Sequence, residues 1–156
     1  MIIREKVVAY ITHADPVSGR TRLLVFSQPS APEAGIQVPA GTVKPGEPPA
    51  AAAVREAREE TGLTGLELVR VLGERTVDIR PWGKNEIHHR RFFHLRCHDE
   101  TPPDQWEHTE PDPDGGDGAS DPSPIVFALF WVSFPDGVPD LIGGQGALLD
   151  ALIPDL

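Results

Sequence analysis

Residues Gly41 to Leu63 read GTVKPGEPPAAAAVREAREETGL, and this stretch decides how the 156-residue chain is read. Its first part, Gly41 to Glu47, is a Gly/Pro loop. A helix is predicted from Pro48 to Thr61. Pro48 and Pro49 suit a first turn, where a missing N–H removes no hydrogen bond. Four alanines with high helix propensity follow, and Gly62 is a natural C-terminal stop. Ala50, Ala53, Val54 and Ala57 fall on one side, as needed to pack on a sheet.

Within that helix Glu56, Glu59 and Glu60 lie at i, i+3 and i+4, so three carboxylates converge on one face. They sit next to the negative end of the helix dipole, where each acid is disfavoured by roughly 0.3–1 kcal/mol. The Glu56–Glu60 like-charge pair adds roughly 0.2–0.5 kcal/mol. A helix built only for stability would carry Lys or Arg there, and places where local rules fail are candidates for function. A hard divalent cation, Mg²⁺ or Mn²⁺, removes the conflict, because such ions take carboxylates, water and substrate phosphate as ligands. The competing explanation is a solvated acidic face paired with Arg55 and Arg58.

Outward from the helix, Lys6 to Thr12 and Leu23 to Ser27 read as strands joined by the turn residues Asp15 to Gly19. Gln37 to Pro39 is a short extended piece. Leu66 to Ile79 reads as one or two strands broken at Gly73. Arg80 to Asn85 is a loop, and Glu86 to His98 and Ile125 to Phe134 are further strands. Asp99 to Pro124 holds six prolines and three glycines and reads as a loop. Gly146 to Ile153 reads as a short closing helix. Strands on both sides of a helix, with a second helix at the end, predict a mixed α/β layer fold in a single domain spanning 1–156.

Charge excludes several functions. The net charge is −10, and all 14 Lys and Arg lie between Arg4 and Arg96. Thirteen acids and no basic residue follow Arg96, nine of them between Asp99 and Asp121. Such a chain is a poor partner for nucleic acid or an anionic membrane. No apolar run approaches a spanning length, and Met1 leads directly into a strand pattern rather than a signal peptide. A single cysteine, Cys97, leaves no internal disulfide and no multi-thiolate metal site. The expected location is cytoplasmic.

The stretch Gly41 to Leu63 resembles the Nudix box, G-x5-E-x7-R-E-U-x-E-E-x-G-U, where U is a bulky aliphatic. Gly41, Glu47, Arg55, Glu56, Glu59, Glu60 and Gly62 meet every fixed position, and Leu63 meets the last aliphatic. Ala57 is smaller than the usual residue at its place. The resemblance implies a Nudix-type α/β/α sandwich with a mixed central sheet. It also implies Mg²⁺- or Mn²⁺-dependent hydrolysis of a nucleoside diphosphate linked to a further group X. Carried over, it makes Glu56, Glu59 and Glu60 metal ligands together with the carbonyl of Ala40. Arg55 and Glu47 become the catalytic support that orients them. A small nucleotide is the implied partner, and a homodimer is left open.

Outside the box, Glu86, His88, Arg90, Phe92, His94 and Arg96 alternate onto one strand face, while His89 and Arg91 point the other way. Arg90 and Arg96, with Glu86, are candidates for gripping substrate; the alternative is an ordinary charged strand face. Trp82 and Trp106 are candidates to stack on a nucleobase or, equally, to cap the core. Glu107 and Glu110 are candidates for an extra metal ligand or the general base. The lead-in Val38-Pro39-Ala40-Gly41 resembles that of ADP-ribose and nucleotide-sugar pyrophosphatases, which favours those substrates over a nucleoside triphosphate. A tyrosine marking dinucleoside polyphosphate hydrolases is absent, since Tyr10 is the only one. A non-catalytic nucleotide sensor is the alternative of a different class, but such modules usually lose box carboxylates, and all are kept here.

Overall fold

The computed structural model describes residues 1–99, 101–110 and 124–156. Seven strands form one mixed sheet: β1 (Ile2–Ala14), β2 (Thr21–Ser27), β3 (Ala40–Thr42), β4 (Leu66–Asp78), β5 (Glu86–Cys97), β6 (Gln105–Glu110) and β7 (Ile125–Ser133). The order is β4-β5-β1-β2-β7-β6, with β3 paired to β1 outside this path. β1 and β5 run parallel and every other pair is antiparallel.

Period-two alternation divides the buried side chains between the two faces. Val7, Ala9 and Ile11 of β1 join Phe93 and Leu95 of β5 under α1 (Pro49–Thr61), where Ala52, Ala53 and Ala57 are fully buried. These small residues let the helix lie close to the sheet, and Phe26 and Phe127 fill the remaining space with ring centroids 4.6 Å apart. Glu56 and Glu60 are buried on the helix as well, so the side turned to the sheet is wider than the apolar positions alone predict.

The opposite face buries Val8, Tyr10, Leu23, Val25 and Phe92 beneath the C-terminal segment. The closing helix expected at Gly146–Ile153 is a pair of 3₁₀ segments, Ile142–Gly144 and Leu149–Asp155. Gly143 and Gly144 have φ of 63° and 76°, and Pro154 lacks an N–H, so an α-helix of useful length cannot propagate. Polar posts pin the segment instead. The Tyr10 hydroxyl donates to the Gln145 carbonyl and accepts from the Leu148 N–H. His94, fully buried, bonds Asp155 through Nδ1 at 2.8 Å and Thr12 through Nε2 at 2.7 Å.

The loop expected at 99–124 is corrected in part. Gln105–Glu110 is the edge strand β6, because Trp106, His108 and Glu110 alternate against β7. Residues 111–123 of that stretch lie outside the described residues. β4 is continuous, with two register shifts, one of them at Gly73. Among the described residues no helix is long and apolar enough to cross a membrane.

Candidate active site

Two backbone features set the box helix. Gly62 adopts φ 77°, ψ −3° and returns its N–H to Arg58 at 2.8 Å, closing the last turn. Gly41 lies directly beneath the Glu56 carboxylate, in space that a β-carbon would occupy. The glycine therefore lets a nearly fully buried carboxylate, 1% exposed, approach the β3 backbone.

Arg55 organises the surrounding charges. Its Nε and Nη2 donate to both Glu47 carboxylate oxygens at 2.9 and 3.0 Å, a bidentate pair. Nη2 also donates to the Thr42 carbonyl at 3.0 Å, while Nη1 reaches Glu56 at 2.8 Å and Glu59 at 3.4 Å. The Arg55 bonds, helped by the Lys44 N–H, pull the Glu47 carboxyl down to about 2 against a smaller opposing effect of burial. The bond from Glu47 in turn raises the Arg55 guanidinium further. Glu47 and Arg55 form a permanently charged brace that joins the loop to the helix.

Two of the three helix carboxylates, Glu56 and Glu59, come together with Glu110 from β6. Oxygens of Glu56, Glu59 and Glu110 all lie within 4.8 Å of one another. Glu60 is turned toward β3, where its Oε2 accepts the Ala40 N–H at 3.3 Å. Burial pushes the Glu60 carboxyl well above the usual range, and the charges of Glu56, Glu110 and Glu59 add to the shift. Glu107, in contrast, is exposed on the other side of β6.

The remaining candidates separate by position. Arg90 lines a cleft of about 270 Å³ with Lys6, His88, Gln145, Ala40 and Gly41, so it borders the box. Glu86 is tied to Arg4 at 3.4 Å and His88 at 3.0 Å. Arg96 lies two rows beyond Phe92 on β5, where it meets Glu67 and the Asp155 carbonyl in a separate cavity that also holds His13 and Asp99. Trp82, 74% exposed, sits in the 3₁₀ turn Arg80–Trp82 between β4 and β5. Trp106 caps the core: its Nε1 donates to the Thr61 carbonyl at 2.9 Å and its ring lies 6.4 Å from that of Trp131. Lys6 and Gln145 carried no motif in the sequence. Lys6 donates to Thr42 Oγ1 at 2.7 Å, and Gln145 Oε1 accepts the Val38 N–H at 2.8 Å.

The family model for the NUDIX domain matches residues 5–140. No curated protein matches the chain. Among solved structures, a UDP-X diphosphatase is 16% identical with a TM-score of 0.62; the match covers 99% of this chain and 64% of that one. This chain thus spans a little under two thirds of that protein. A MutT NUDIX hydrolase from Burkholderia pseudomallei is 22% identical with a TM-score of 0.57, covering 97% of this chain and 99% of the other. A NUDIX family hydrolase from Clostridium perfringens is 18% identical with a TM-score of 0.59, covering 98% of each. At these identities the likeness is one of fold.

Proposed function

The chain belongs to the NUDIX domain family, and from that premise we propose that it hydrolyses a pyrophosphate linkage in a nucleoside diphosphate derivative. The observation that carries the proposal is the convergence of Glu56, Glu59 and Glu110 from two different elements. The residues fit a divalent cation. They offer only hard oxygen donors, and burial, with the charges of Glu56, Glu110 and Glu59 adding to it, disfavours an ionised Glu60, a cost that a cation would relieve. Glu56, Glu59 and Glu60 would hold it with the Ala40 carbonyl, and Glu110 would serve as a further ligand or as the base. Mg²⁺ or Mn²⁺ suits this donor set and, when bound, neutralises phosphoryl oxygens and lowers the pKa of water.

The protein groups then have distinct tasks. Arg55 and Glu47 fix the Glu56 and Glu59 carboxylates. Glu59, partly open to solvent, or Glu110 accepts the proton as water oxygen bonds to phosphorus and the bridging P–O bond breaks. The departing phosphate carries away the electron pair. Arg90 contacts the substrate from the neighbouring cleft. The lead-in Val38-Pro39-Ala40-Gly41 supports ADP-ribose or a nucleotide sugar as substrate. A nucleoside triphosphate is the second reading, favoured by the cations Lys6 and Arg90 in that cleft.

The test is turnover of NDP-sugars, ADP-ribose, nucleoside triphosphates and dinucleoside polyphosphates with Mg²⁺ or Mn²⁺, following phosphate release. Metal-dependent turnover of at least one class is expected. No turnover across the panel overturns the proposal and favours a nucleotide sensor.

A further inference from the structure

The cleft continues onto a feature absent from the box. Register places Lys6 of β1 beside Arg90 of β5, and Arg90 opposite Arg75 of β4. Three cations therefore occupy one row across three adjacent strands. Like charges directly opposite on neighbouring strands are destabilising. Arg75 also influences the titration of Tyr10, which is buried on the same face. The row thus faces the side of the sheet on which the cleft opens.

Neighbouring arginines are balanced. Arg91 pairs with Glu5 at 2.7 Å and Glu74 at 3.0 Å, Arg4 with Glu86, and Arg80 with Asp78. Arg75 and Arg90 have no carboxylate partner among the described residues. Arg75 donates to the Glu74 carbonyl at 2.8 Å, and Arg90 to the Gly143 carbonyl. Partial burial lowers the Arg90 pKa, with no anion to offset it. A desolvated cation without a counter-charge is costly in the free protein and binds an incoming anion strongly.

We propose that Lys6, Arg90 and Arg75 form a phosphate-binding row, which selects substrates carrying a phosphoryl group beyond the scissile anhydride. This deepens the second, nucleoside triphosphate branch of the hydrolase reading, against the nucleotide-sugar branch, and rests on the hydrolase reading for the position of the scissile bond. The carboxylate cluster, with the cation it would hold, would address the anhydride, while the row addresses the additional phosphate. A nucleoside triphosphate meets this requirement, whereas an NDP-hexose does not.

Two measurements test the proposal. The first is calorimetric titration of inorganic tripolyphosphate into metal-free protein at low salt. Arg75→Gln and Arg90→Gln are each expected to weaken binding about tenfold, the scale of one charge-assisted contact. Arg75→Lys is expected to restore most of the loss, and Arg80→Gln to bind as wild type. The second compares KM for a nucleoside triphosphate and an NDP-hexose with Mg²⁺. Arg75→Gln is expected to raise the former about tenfold and the latter less than twofold, with kcat retained. Unchanged tripolyphosphate binding in both Gln variants, or an equal rise in both KM values, overturns the row. No turnover by wild type, with tripolyphosphate binding still weakened by Arg75→Gln, overturns the hydrolase reading and keeps the anion site.

Discussion

The carboxylate cluster on α1 and the cation row across β1, β5 and β4 break the same electrostatic rule with opposite sign. They lie on either side of β3: Gly41 supports Glu56 and also borders the cleft that holds Lys6 and Arg90. Thr42 links them, its carbonyl bonded by Arg55 and its hydroxyl by Lys6. Their construction differs. The cluster is mainly local, set by helical spacing and completed by Glu110 from β6. The row is wholly non-local, because each cation comes from a different strand. The other face of β5 provides the contrast, since His89 and Arg91 there share Glu5 and Glu74 in a balanced network. The same strand thus carries a satisfied ion-pair ladder on one side and an unbalanced one on the other. A ligand is needed only to explain the second.

The largest effect expected on this comparison comes from the acidic side. Glu56→Gln should lower kcat by about 10²–10³-fold, the scale of losing a group that helps stabilise transition-state charge. Tripolyphosphate binding at the cation row should persist, and the far-UV spectrum should be unchanged. Retained turnover in that variant would mean the cluster is only an acidic face. Gly41→Ala attacks the junction itself. Its β-carbon would displace the Glu56 carboxylate, so turnover should fall sharply and stability by about 1–3 kcal/mol, as for other overpacked sites. Chemical denaturation and steady-state kinetics check the two effects.

Acid should loosen the segment that backs the row before it affects the Glu47–Arg55 brace. Burial holds His94 below its ordinary 6.5. Burial alone would raise Asp155, but its bonds to Arg70 and His94 prevail and hold it below 3.8. Both groups therefore bind protons more readily in the unfolded chain. Their stabilisation is present above pH 6.5 and is lost as pH falls, first with His94 and then with Asp155. One such group changes stability by up to about 1.4 kcal/mol per pH unit. Thermal unfolding between pH 7.5 and 4 should show this slope, and His94→Gln should flatten its upper part.

The smallest effects sharpen the contrast between the faces. Arg75→Glu places a carboxylate opposite Arg90 and should stabilise the fold by roughly 0.2–1 kcal/mol relative to Arg75→Gln. The same change should weaken tripolyphosphate binding. Glu5→Gln on the balanced face should cost less than about 1 kcal/mol, as exposed pairs do, and leave tripolyphosphate binding unaltered. If Glu5→Gln altered that binding as strongly as Arg75→Gln, the two faces would not be electrically distinct.

The strands and helix were legible because alternation and helical spacing repeat within a few residues. The errors fell where longer-range pairing or special backbone conformations took over. β6 sits in a Pro- and acid-rich stretch and exists because β7 supplies its partner. The closing helix became 3₁₀ turns because Gly143, Gly144 and Pro154 disfavour an α-helix while Tyr10, Arg90 and His94 offer alternative bonds. Trp106 could be read as a base platform or a core cap until its indole was seen on the Thr61 carbonyl. Arg75 gave no signal at all. Two register shifts in β4, between Leu68 and Arg70 and between Val71 and Gly73, change which residues share a face.

By itself the sequence determined the loop–helix unit from Gly41 to Leu63 and the shared helix face of Glu56, Glu59 and Glu60, while the pairing of Glu47 with Arg55 was only implied by the resemblance to the Nudix box. The shared face follows from spacing along one helix, where 3.6 residues per turn settles the geometry. Only the tertiary structure decided that Glu110 joins the cluster, that Glu107 does not, and that Lys6, Arg90 and Arg75 stand in one row. Strand register makes those neighbours, and register depends on bulges, turns and the packing of both sheet faces at once.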